Sequence, residues 1–297
     1  MEGKTMPIDY SVIIPCYNEG GVIGNVIEEL QTYLDEHLKD RYEILIIDDG
    51  STDETPEKLA HLKDVRVIRH RVNRGYGAAI KTGVRQAKGS LLATYDGDGQ
   101  HYPEDLVKLL RKIKDEDLAL VVGARTKTFH SNLWRMPGKW ILGWLANYLT
   151  KTKIPDLNSG LRAFKRDIIS RYLHLCSDRF SFSTTSTLVF LNRGYPISFM
   201  PIKTKNRQGK STVTLMTGYD TMILIIRTIT LFDPLRIYMP VSITLVMIGV
   251  IYGLYILFSV KLGLSTGALL IILSGILLFF FGLLADQISE LRKEKYE

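Results

Sequence analysis

Cysteine is scarce in this sequence: only Cys16 and Cys176 occur among 297 residues. Two thiols cannot form the disulfide framework of a small secreted domain, so we expect the chain to work in a reducing compartment. The N-terminal segment MEGKTMPIDY contains no apolar stretch, and we therefore expect no signal peptide. Two phosphate-binding signatures are also missing. The sequence has no Walker A motif, and Ile80 stands where a dinucleotide fingerprint starting at Gly75 needs its third glycine.

Acidic residues are outnumbered by basic ones, which leaves a formal net charge of +7. Such a charge suits nucleic acid, an anionic membrane surface or a phosphorylated substrate, and it does not by itself choose among them. Because the basic residues lack interleaved aromatic residues, nucleic acid is the poorest of these interpretations.

Charged residues are missing from two long segments near the C-terminus, residues 237–260 and 266–285. Each segment has about the length that a helix needs to cross a bilayer, and a pair of buried core helices is the alternative. Lys261 alone provides positive charge between the segments, whereas Arg236 and Arg292 flank their outer ends. The pattern predicts a transmembrane hairpin with both chain ends in the cytoplasm, on a cell membrane or one of the endoplasmic-reticulum type.

The segment before the hairpin mixes apolar and charged residues, which favours a helix lying in the membrane interface over a third span. A helix that packs on the preceding domain is the alternative. Small residues in the hairpin would also permit a homo-oligomer. The predicted organisation is a cytoplasmic catalytic domain, an interfacial helix or linker, two transmembrane helices and a cytoplasmic tail: residues 1–211, 212–236, 237–260, 266–285 and 286–297.

Short β-rich runs alternate with amphipathic segments in the first part of the chain. The predicted strands cover residues 10–15, 41–47, 65–69, 90–95 and 118–123. This alternation predicts an α/β fold with a mostly parallel sheet and helices on both faces.

Polar side chains follow three of these strands, at the edge of the sheet where such folds bind ligands. A carboxylate pair one residue apart is a weak sign of a hard cation such as Mg²⁺, because a polar turn explains it equally well. Three clusters at the same edge favour a nucleotide and metal site. The clusters are Tyr17 with Glu19, Asp48 with Asp49, and Asp96 with Asp98.

Five motifs then occur in a fixed order: SVIIPCYNE, IIDDGSTDET, NRGYGAAIKTG, TYDGDGQHYPED and DLNSGLRAFKRD. Together they resemble the inverting GT-A glycosyltransferases of family 2, and within it the branch that loads one sugar onto a dolichyl or polyprenyl phosphate. The resemblance covers residues 9–211. It implies a GT-A fold, a nucleotide-sugar donor and Mg²⁺ or Mn²⁺ as cofactor.

The resemblance also implies roles for particular residues. It places Pro15, Tyr17, Glu19, Asp48, Asp49, Lys81 and Asp96 around the donor nucleotide, and Asp96, Asp98 and Gln100 at the metal. It gives Asp98, Arg125 and Arg162 catalytic roles, and Ser159 and Arg162 contacts with the acceptor phosphate. His101 adjoins the metal motif, where an outer-shell role and a loop-ordering role are both open.

Positive residues just before the membrane-directed part suit an anionic acceptor. Arg207 and Lys210 are the favoured contacts, because arginine grips phosphate with two hydrogen bonds and lysine supplies a point charge. A patch attracted to anionic lipid headgroups is the alternative. For Lys203 and Lys205, contact with the substrate and attraction to lipid headgroups are equally open.

Residues 178–191, DRFSFSTTSTLVFL, carry hydroxyls where base-using members of the family carry a carboxylate pair. A hydroxyl acceptor needs a base, whereas a phosphate acceptor is already ionised. The sequence therefore predicts transfer of one hexose from GDP-mannose, UDP-glucose or UDP-N-acetylglucosamine to a lipid phosphate. The rivals are a transferase that extends a saccharide or glycolipid hydroxyl and a non-catalytic membrane scaffold, against which the intact DGDGQ argues.

Overall fold

The computed structural model describes residues 8–39, 41–126, 154–179, 181–205, 223, 230, 233–260 and 265–294. The chain divides into two compact units, Met1–Met222 and Ile223–Glu297. The predicted acceptor residues Arg207 and Lys210 lie outside the described residues, as does most of the predicted interfacial helix. The boundaries of the predicted domains therefore stay predictions.

The first unit is built on a sheet whose described strands are seven in number. They are β1 Tyr10–Cys16, β2 Tyr42–Asp48, β3 Arg66–Arg69, β4 Leu91–Thr94, β5 Leu120–Arg125, β6 Arg162–Lys165 and β7 Ile197–Ile202. The strand order is β3-β2-β1-β4-β6-β5-β7. The predicted α/β fold with a mostly parallel sheet is confirmed.

Two strands were not predicted from the sequence, β6 and β7. β6 is only four residues long and runs antiparallel between β4 and β5. Its insertion places Arg162 opposite Thr94 of β4 and Val122 of β5. The DLNSGLRAF motif thereby enters the sheet directly beside β4, the strand that leads to Asp96 and Asp98.

The helices of this unit cover the sheet and connect its strands. They are α1 Ile23–Leu38, α2 Thr55–Ala60, α3 Tyr76–Gln86, α4 Pro103–Asp115, α5 Arg166–Tyr172 and α6 Phe182–Asn192. α1 buries the apolar residues that recur with helical spacing, such as Ile23, Ile27 and Leu30. α6 is different, because its hydroxyl-bearing residues are buried as well as its apolar ones. A helix buried on all sides must satisfy its hydroxyls within the protein.

The second unit is a pair of apolar helices, α7 Leu235–Tyr255, which continues as a π-helical turn over Ile256–Val260, and α8 Thr266–Glu294. Two stretches of these helices, Leu235–Ser259 and Thr266–Leu291, are long and apolar enough to cross a membrane. Small residues allow the helices to approach closely: Ser242 donates a hydrogen bond of 2.9 Å to the carbonyl of Gly275. The outward apolar side chains are largely exposed. The predicted hairpin of two apolar helices is thus present.

Candidate active site

The loops after β1 and β2 are tied to each other by side-chain caps. Thr55 Oγ1 accepts a hydrogen bond of 2.9 Å from the backbone N–H of Glu19, and Asp53 Oδ2 accepts one of 3.1 Å from that of Gly20. Burial would raise the pKa of Asp53, but the hydrogen bonds from Thr55 and Gly20 outweigh it and hold the pKa below its ordinary value. Tyr17 lies on the loop after β1, and its side chain is 43% exposed. An aromatic ring in that position is available to stack on a planar ligand.

Asp48 is buried at the end of β2, where the second of these loops begins. Its Oδ1 accepts a hydrogen bond of 2.9 Å from the N–H of Ser51. Its Oδ2 lies 3.1 Å from Nε of Arg69 without a well-directed hydrogen bond among the residues that the structure describes. The donor contact predicted for Asp48 stays a prediction.

The neighbouring Asp49 is engaged differently. Its Oδ1 lies 2.6 Å from Nδ1 of His70 and accepts a hydrogen bond of 3.0 Å from the N–H of Arg74, and its Oδ2 accepts one of 2.7 Å from that of Gly75. The opposite nitrogen of the His70 ring lies 2.9 Å from the hydroxyl of Thr82. Asp49 therefore fixes the loop that leads into α3, and a donor contact by this residue stays a prediction.

Lys81, the other donor residue predicted on this side, is also engaged by the chain. Its ammonium group lies 2.7 Å from the carboxylate of Asp178, and its side chain is only about a tenth exposed. The ion pair ties α3 to the segment that precedes α6. The structure thus gives Lys81 a structural partner, and its donor role stays a prediction. Pro15 is buried within β1.

Asp96 follows β4 and is held from three sides. Tyr76 donates a hydrogen bond of 2.9 Å to Oδ1, and Nε2 of His101 lies 3.2 Å from Oδ2. On the third side, a Cβ added to Gly160 would lie 2.0 Å from Oδ2. Burial would raise the pKa of Asp96, but His101, Tyr76 and the charge of Arg125 outweigh it and keep the pKa below its ordinary value.

Asp98 and Gln100 form the turn that follows. The N–H of Gln100 donates a hydrogen bond of 3.1 Å to Asp98 Oδ1, and Gly99 between them has a φ of +73°, which favours glycine. The carbonyl of Gln100 accepts a hydrogen bond of 2.8 Å from the N–H of Lys205, whose ammonium group pairs with Glu29 at 2.7 Å. The segment that follows β7 thereby anchors this turn through Lys205.

The DGDGQ turn fits a divalent cation of the hard type. Asp96 and Asp98 are partly accessible and offer carboxylate oxygens, the ligands that Mg²⁺ and Mn²⁺ prefer. Within the described ranges no group of three or more histidine, cysteine, aspartate or glutamate side chains is placed to hold a metal ion alone. Two carboxylates completed by substrate phosphates and water are the usual arrangement for Mg²⁺. His101, which is almost fully buried, orders Asp96 from behind.

Arg125 and Asp156 form a two-pronged ion pair beside the metal turn. Nε of Arg125 donates to Oδ2 at 2.7 Å, and Nη2 donates to Oδ1 at 3.0 Å. Burial would raise the pKa of Asp156, but Arg125 and the N–H of Asn158 outweigh it and keep the pKa low. The hydrogen bond with Asp156 in turn raises the pKa of Arg125. The pair fixes the guanidinium in one orientation.

Arg162, to which the resemblance gives catalytic and acceptor roles, is buried at the start of β6. Its side chain is 1% exposed, as is that of Ser159. Its guanidinium donates to the carbonyls of Ser159 and Leu157 at 2.7 and 2.9 Å and to the hydroxyls of Thr187 and Ser186 at 2.7 and 3.3 Å. The chain thus engages this guanidinium because β6 draws the residue into the sheet, and the catalytic and acceptor roles of Arg162 stay predictions.

Ser159 lies on the same loop and is buried, and its hydroxyl has no hydrogen-bond partner among the described residues. A buried hydroxyl without a partner is uncommon. The predicted contact between Ser159 and an acceptor is consistent with this placement and stays a prediction. Sequence reasoning missed Tyr76 and Gly160 as parts of the site. Both belong to motifs visible in the sequence, but only the folded structure shows that they touch Asp96.

Two family models match the chain. The model described as glycosyl transferase family 2 matches residues 11–173, and the model described as GtrB C-terminal hairpin matches residues 233–291. Among curated proteins, the chain is similar to an uncharacterized protein of Methanocaldococcus jannaschii, with 32% identity over 65% of this chain and 80% of the relative. It is also similar to undecaprenyl-phosphate 4-deoxy-4-formamido-L-arabinose transferase of Salmonella choleraesuis, with 33% identity over 76% of this chain and 69% of the relative.

Solved structures share the fold of the first unit. Glucosyl-3-phosphoglycerate synthase from Mycobacterium tuberculosis, solved in complex with Mn²⁺, uridine diphosphate and glucosyl-3-phosphoglycerate, is similar with a TM-score of 0.60. The two chains are 19% identical, and the likeness covers 74% of this chain and 79% of the other. At that identity the likeness concerns the fold, which is GT-A.

Proposed function

The chain belongs to glycosyl transferase family 2, and from that premise we propose that it transfers one hexose from a nucleoside-diphosphate sugar to a dolichyl or polyprenyl phosphate, with inversion at the anomeric carbon. The similarity of the second unit to the GtrB C-terminal hairpin supports a membrane location, and so do its two long apolar helices. The similar Salmonella protein is named as an undecaprenyl-phosphate sugar transferase, which supports a lipid phosphate as acceptor.

The proposal depends most on one question: whether α6 or the DLNSGLRAF motif offers a carboxylate that is free to act as a base. Helix α6, FSTTSTLVFLN, contains no aspartate or glutamate. Its hydroxyls serve the fold: Thr184 donates a hydrogen bond of 2.9 Å to Asn158 Oδ1, and Thr187 accepts one from Arg162. Asp156, the carboxylate of the acceptor motif, accepts hydrogen bonds from Arg125 on both oxygens. An acceptor hydroxyl would need a free base, whereas an ionised phosphate does not.

The reaction is then a direct displacement. An oxygen of the lipid phosphate attacks the anomeric carbon, the bond from that carbon to the donor diphosphate breaks, and the nucleoside diphosphate leaves with the electron pair. Asp96, Asp98 and Gln100 would hold Mg²⁺ or Mn²⁺, which when bound neutralises the charge that develops on the departing diphosphate. Tyr17 would stack on the base, and Asp48 would accept a hydrogen bond from the nucleotide.

Arg125 supplies a fixed positive charge beside this centre. Because Asp156 holds its guanidinium in place, the charge is oriented before the substrates bind. A preoriented charge favours the transition state without a reorganisation cost during the reaction. Ser159, together with Arg207 and Lys210, would contact the acceptor phosphate, and the hairpin would keep the domain on the cytoplasmic face of the membrane.

The proposal is tested with the full chain purified in detergent. Undecaprenyl phosphate and dolichyl phosphate are each incubated with Mg²⁺ and a panel that contains GDP-mannose, UDP-glucose and UDP-N-acetylglucosamine. We expect one donor to give a labelled lipid in which a single sugar is joined to the phosphate. The proposal fails if no donor labels a lipid phosphate while one labels a saccharide or lipid hydroxyl.

A further inference from the structure

Arg162 is one of the largest fully buried side chains of the catalytic unit. Its described hydrogen-bond partners are two backbone carbonyls and two hydroxyls, and no carboxylate is among them. Removing a charge from water without a paired opposite charge costs free energy, so an arginine used only to fill space would be a poor choice for this position. Burial lowers its pKa to about 10, which leaves the guanidinium protonated at neutral pH.

The two carbonyls belong to the acceptor loop, residues 156–160. Arg162 reaches this loop at Leu157 and at Ser159, on either side of Asn158, whose side chain is held by Thr184. The hydrogen bonds of Arg162 and Thr184 therefore hold the acceptor loop against the hydroxyl-bearing residues of α6.

The ends of the same loop touch the catalytic centre directly. Asp156 at one end orients the guanidinium of Arg125. Gly160 at the other end lies against Asp96, and its carbonyl accepts a hydrogen bond of 2.5 Å from Thr94. A shift of the loop would thus move a metal ligand and the fixed cation together.

We propose that Arg162 is a positioning residue of the transfer reaction: bound to the hydroxyls of Ser186 and Thr187 in α6, it fixes the acceptor loop so that Asp156 and Gly160 hold Arg125 and Asp96 in their working places. The inference rests on the proposed function for the identity of the reaction, and it explains why α6 keeps buried hydroxyls. Where base-using members of the family carry a carboxylate pair, this helix carries hydroxyls that support the loop.

The test measures kcat and KM of the full chain for Arg162→Lys, which keeps the charge but loses the fork of donors. Displacement of reacting groups by about 1 Å can cost on the order of 100-fold in rate, so we expect kcat to fall about 10- to 100-fold while KM for the nucleotide sugar stays near that of the wild type. Arg166→Lys is the matched control, because the side-chain hydrogen bond described for Arg166 is a long one, 3.3 Å to the carbonyl of Lys88.

Thr187 offers a milder variant that keeps the test decisive if Arg162→Lys does not fold. Thr187→Val removes the hydroxyl at nearly constant shape, whereas Thr187→Ser retains it. We expect Thr187→Val to lower kcat and Thr187→Ser to restore most of it. Active sites are counted by nucleotide binding, so that a loss of folded protein is separated from a loss of rate.

The inference is overturned if folded Arg162→Lys or Thr187→Val has the kcat of the wild type per active site, or if Thr187→Ser is as slow as Thr187→Val. Failure of the proposed function would look different. It would appear in the wild-type chain as transfer to a hydroxyl and not to a lipid phosphate, and the variants would then be measured in that reaction.

Discussion

Gly160 lies against the carboxylate of Asp96 so closely that a Cβ at position 160 would stand 2.0 Å from Oδ2 and 2.6 Å from Oδ1. The first carboxylate of the metal turn and the acceptor motif are therefore in van der Waals contact, although 64 residues of sequence separate them. The contact exists because β6 runs beside β4. It makes the acceptor loop one wall of the metal site.

Gly160→Ala should displace Asp96, because no side chain fits in that space. We expect kcat to fall on the order of 10- to 100-fold and the concentration of Mn²⁺ needed for half-maximal activity to rise. A metal titration of the purified variant measures both. Gly24→Ala is the control, since a Cβ at Gly24 in α1 meets nothing within 4 Å. A Gly160→Ala enzyme with the metal response of the wild type would contradict the assignment of Asp96.

Asp156→Asn separates the role of an orienting partner from that of a base. The variant keeps the shape but weakens the hold on Arg125, and we expect a lower kcat with an unchanged pH profile. The acid limb should stay near pH 6, where a phosphate monoester takes up its second proton, at about pKa 6. If Asp156 were the general base, the wild type would instead show an acid limb at the low pKa of Asp156, and the substitution would remove it.

The same pair gives a prediction for stability against pH. Because Arg125 holds the pKa of Asp156 below its ordinary value, the pair stabilises the folded state above about pH 4, the usual range of an unfolded aspartate. That contribution is lost as the pH falls through the lower folded-state pKa. Thermal melts of the wild type and of Asp156→Asn should therefore converge in acid. Curves that stay apart at low pH would show that the pair is not the source of the difference.

Asp49→Asn should act on stability more than on donor binding. The carboxylate accepts hydrogen bonds from two backbone N–H groups and contacts His70, and hydrogen bonds to a charged group contribute about 1.5–3 kcal/mol. We expect a loss of roughly 2 kcal/mol in the free energy of unfolding. The apparent Tm measures it, with the exposed Asp115→Asn as control. An unchanged Tm together with a raised KM for the donor would instead support the predicted contact between Asp49 and the nucleotide.

Both cysteines should be unreactive in the native chain. Burial, with the charges of Asp48 and Glu19, raises the pKa of Cys16, and burial raises the pKa of Cys176 to about 12. Because the thiolate is the reactive form, iodoacetamide at pH 8 should modify neither residue until the protein unfolds. Mass spectrometry of native and denatured samples measures this. Rapid modification of native Cys16 would mean that the end of β1 is open.

The sheet was predictable from the sequence where strands are apolar and β-branched, as in β1 and β2. β6 was not, because RAFK is short and contains no β-branched residue. Its burial depends on neighbours that are distant in the chain. The burial of the Arg162 side chain has the same cause, because a motif gives the type of a residue but not the direction in which its side chain points.

The adjacent Asp48 and Asp49 show the same limit at shorter range. Successive residues at the end of a strand point to opposite sides, so two identical carboxylates meet different partners. Asp48 accepts a hydrogen bond from the N–H of Ser51, whereas Asp49 contacts His70 and the N–H of Gly75. The position of the site at the carboxyl ends of the strands was predictable, because the topology alone determines it.

The central claim is that the acceptor is a phosphate, and one comparison tests it most directly. The full chain is given undecaprenyl phosphate or undecaprenol, which differ only in the phosphate, with the same donor and Mg²⁺. We predict transfer to undecaprenyl phosphate with loss of one nucleoside diphosphate per sugar moved, and no transfer to undecaprenol. Transfer to undecaprenol at an equal or greater rate would contradict the account.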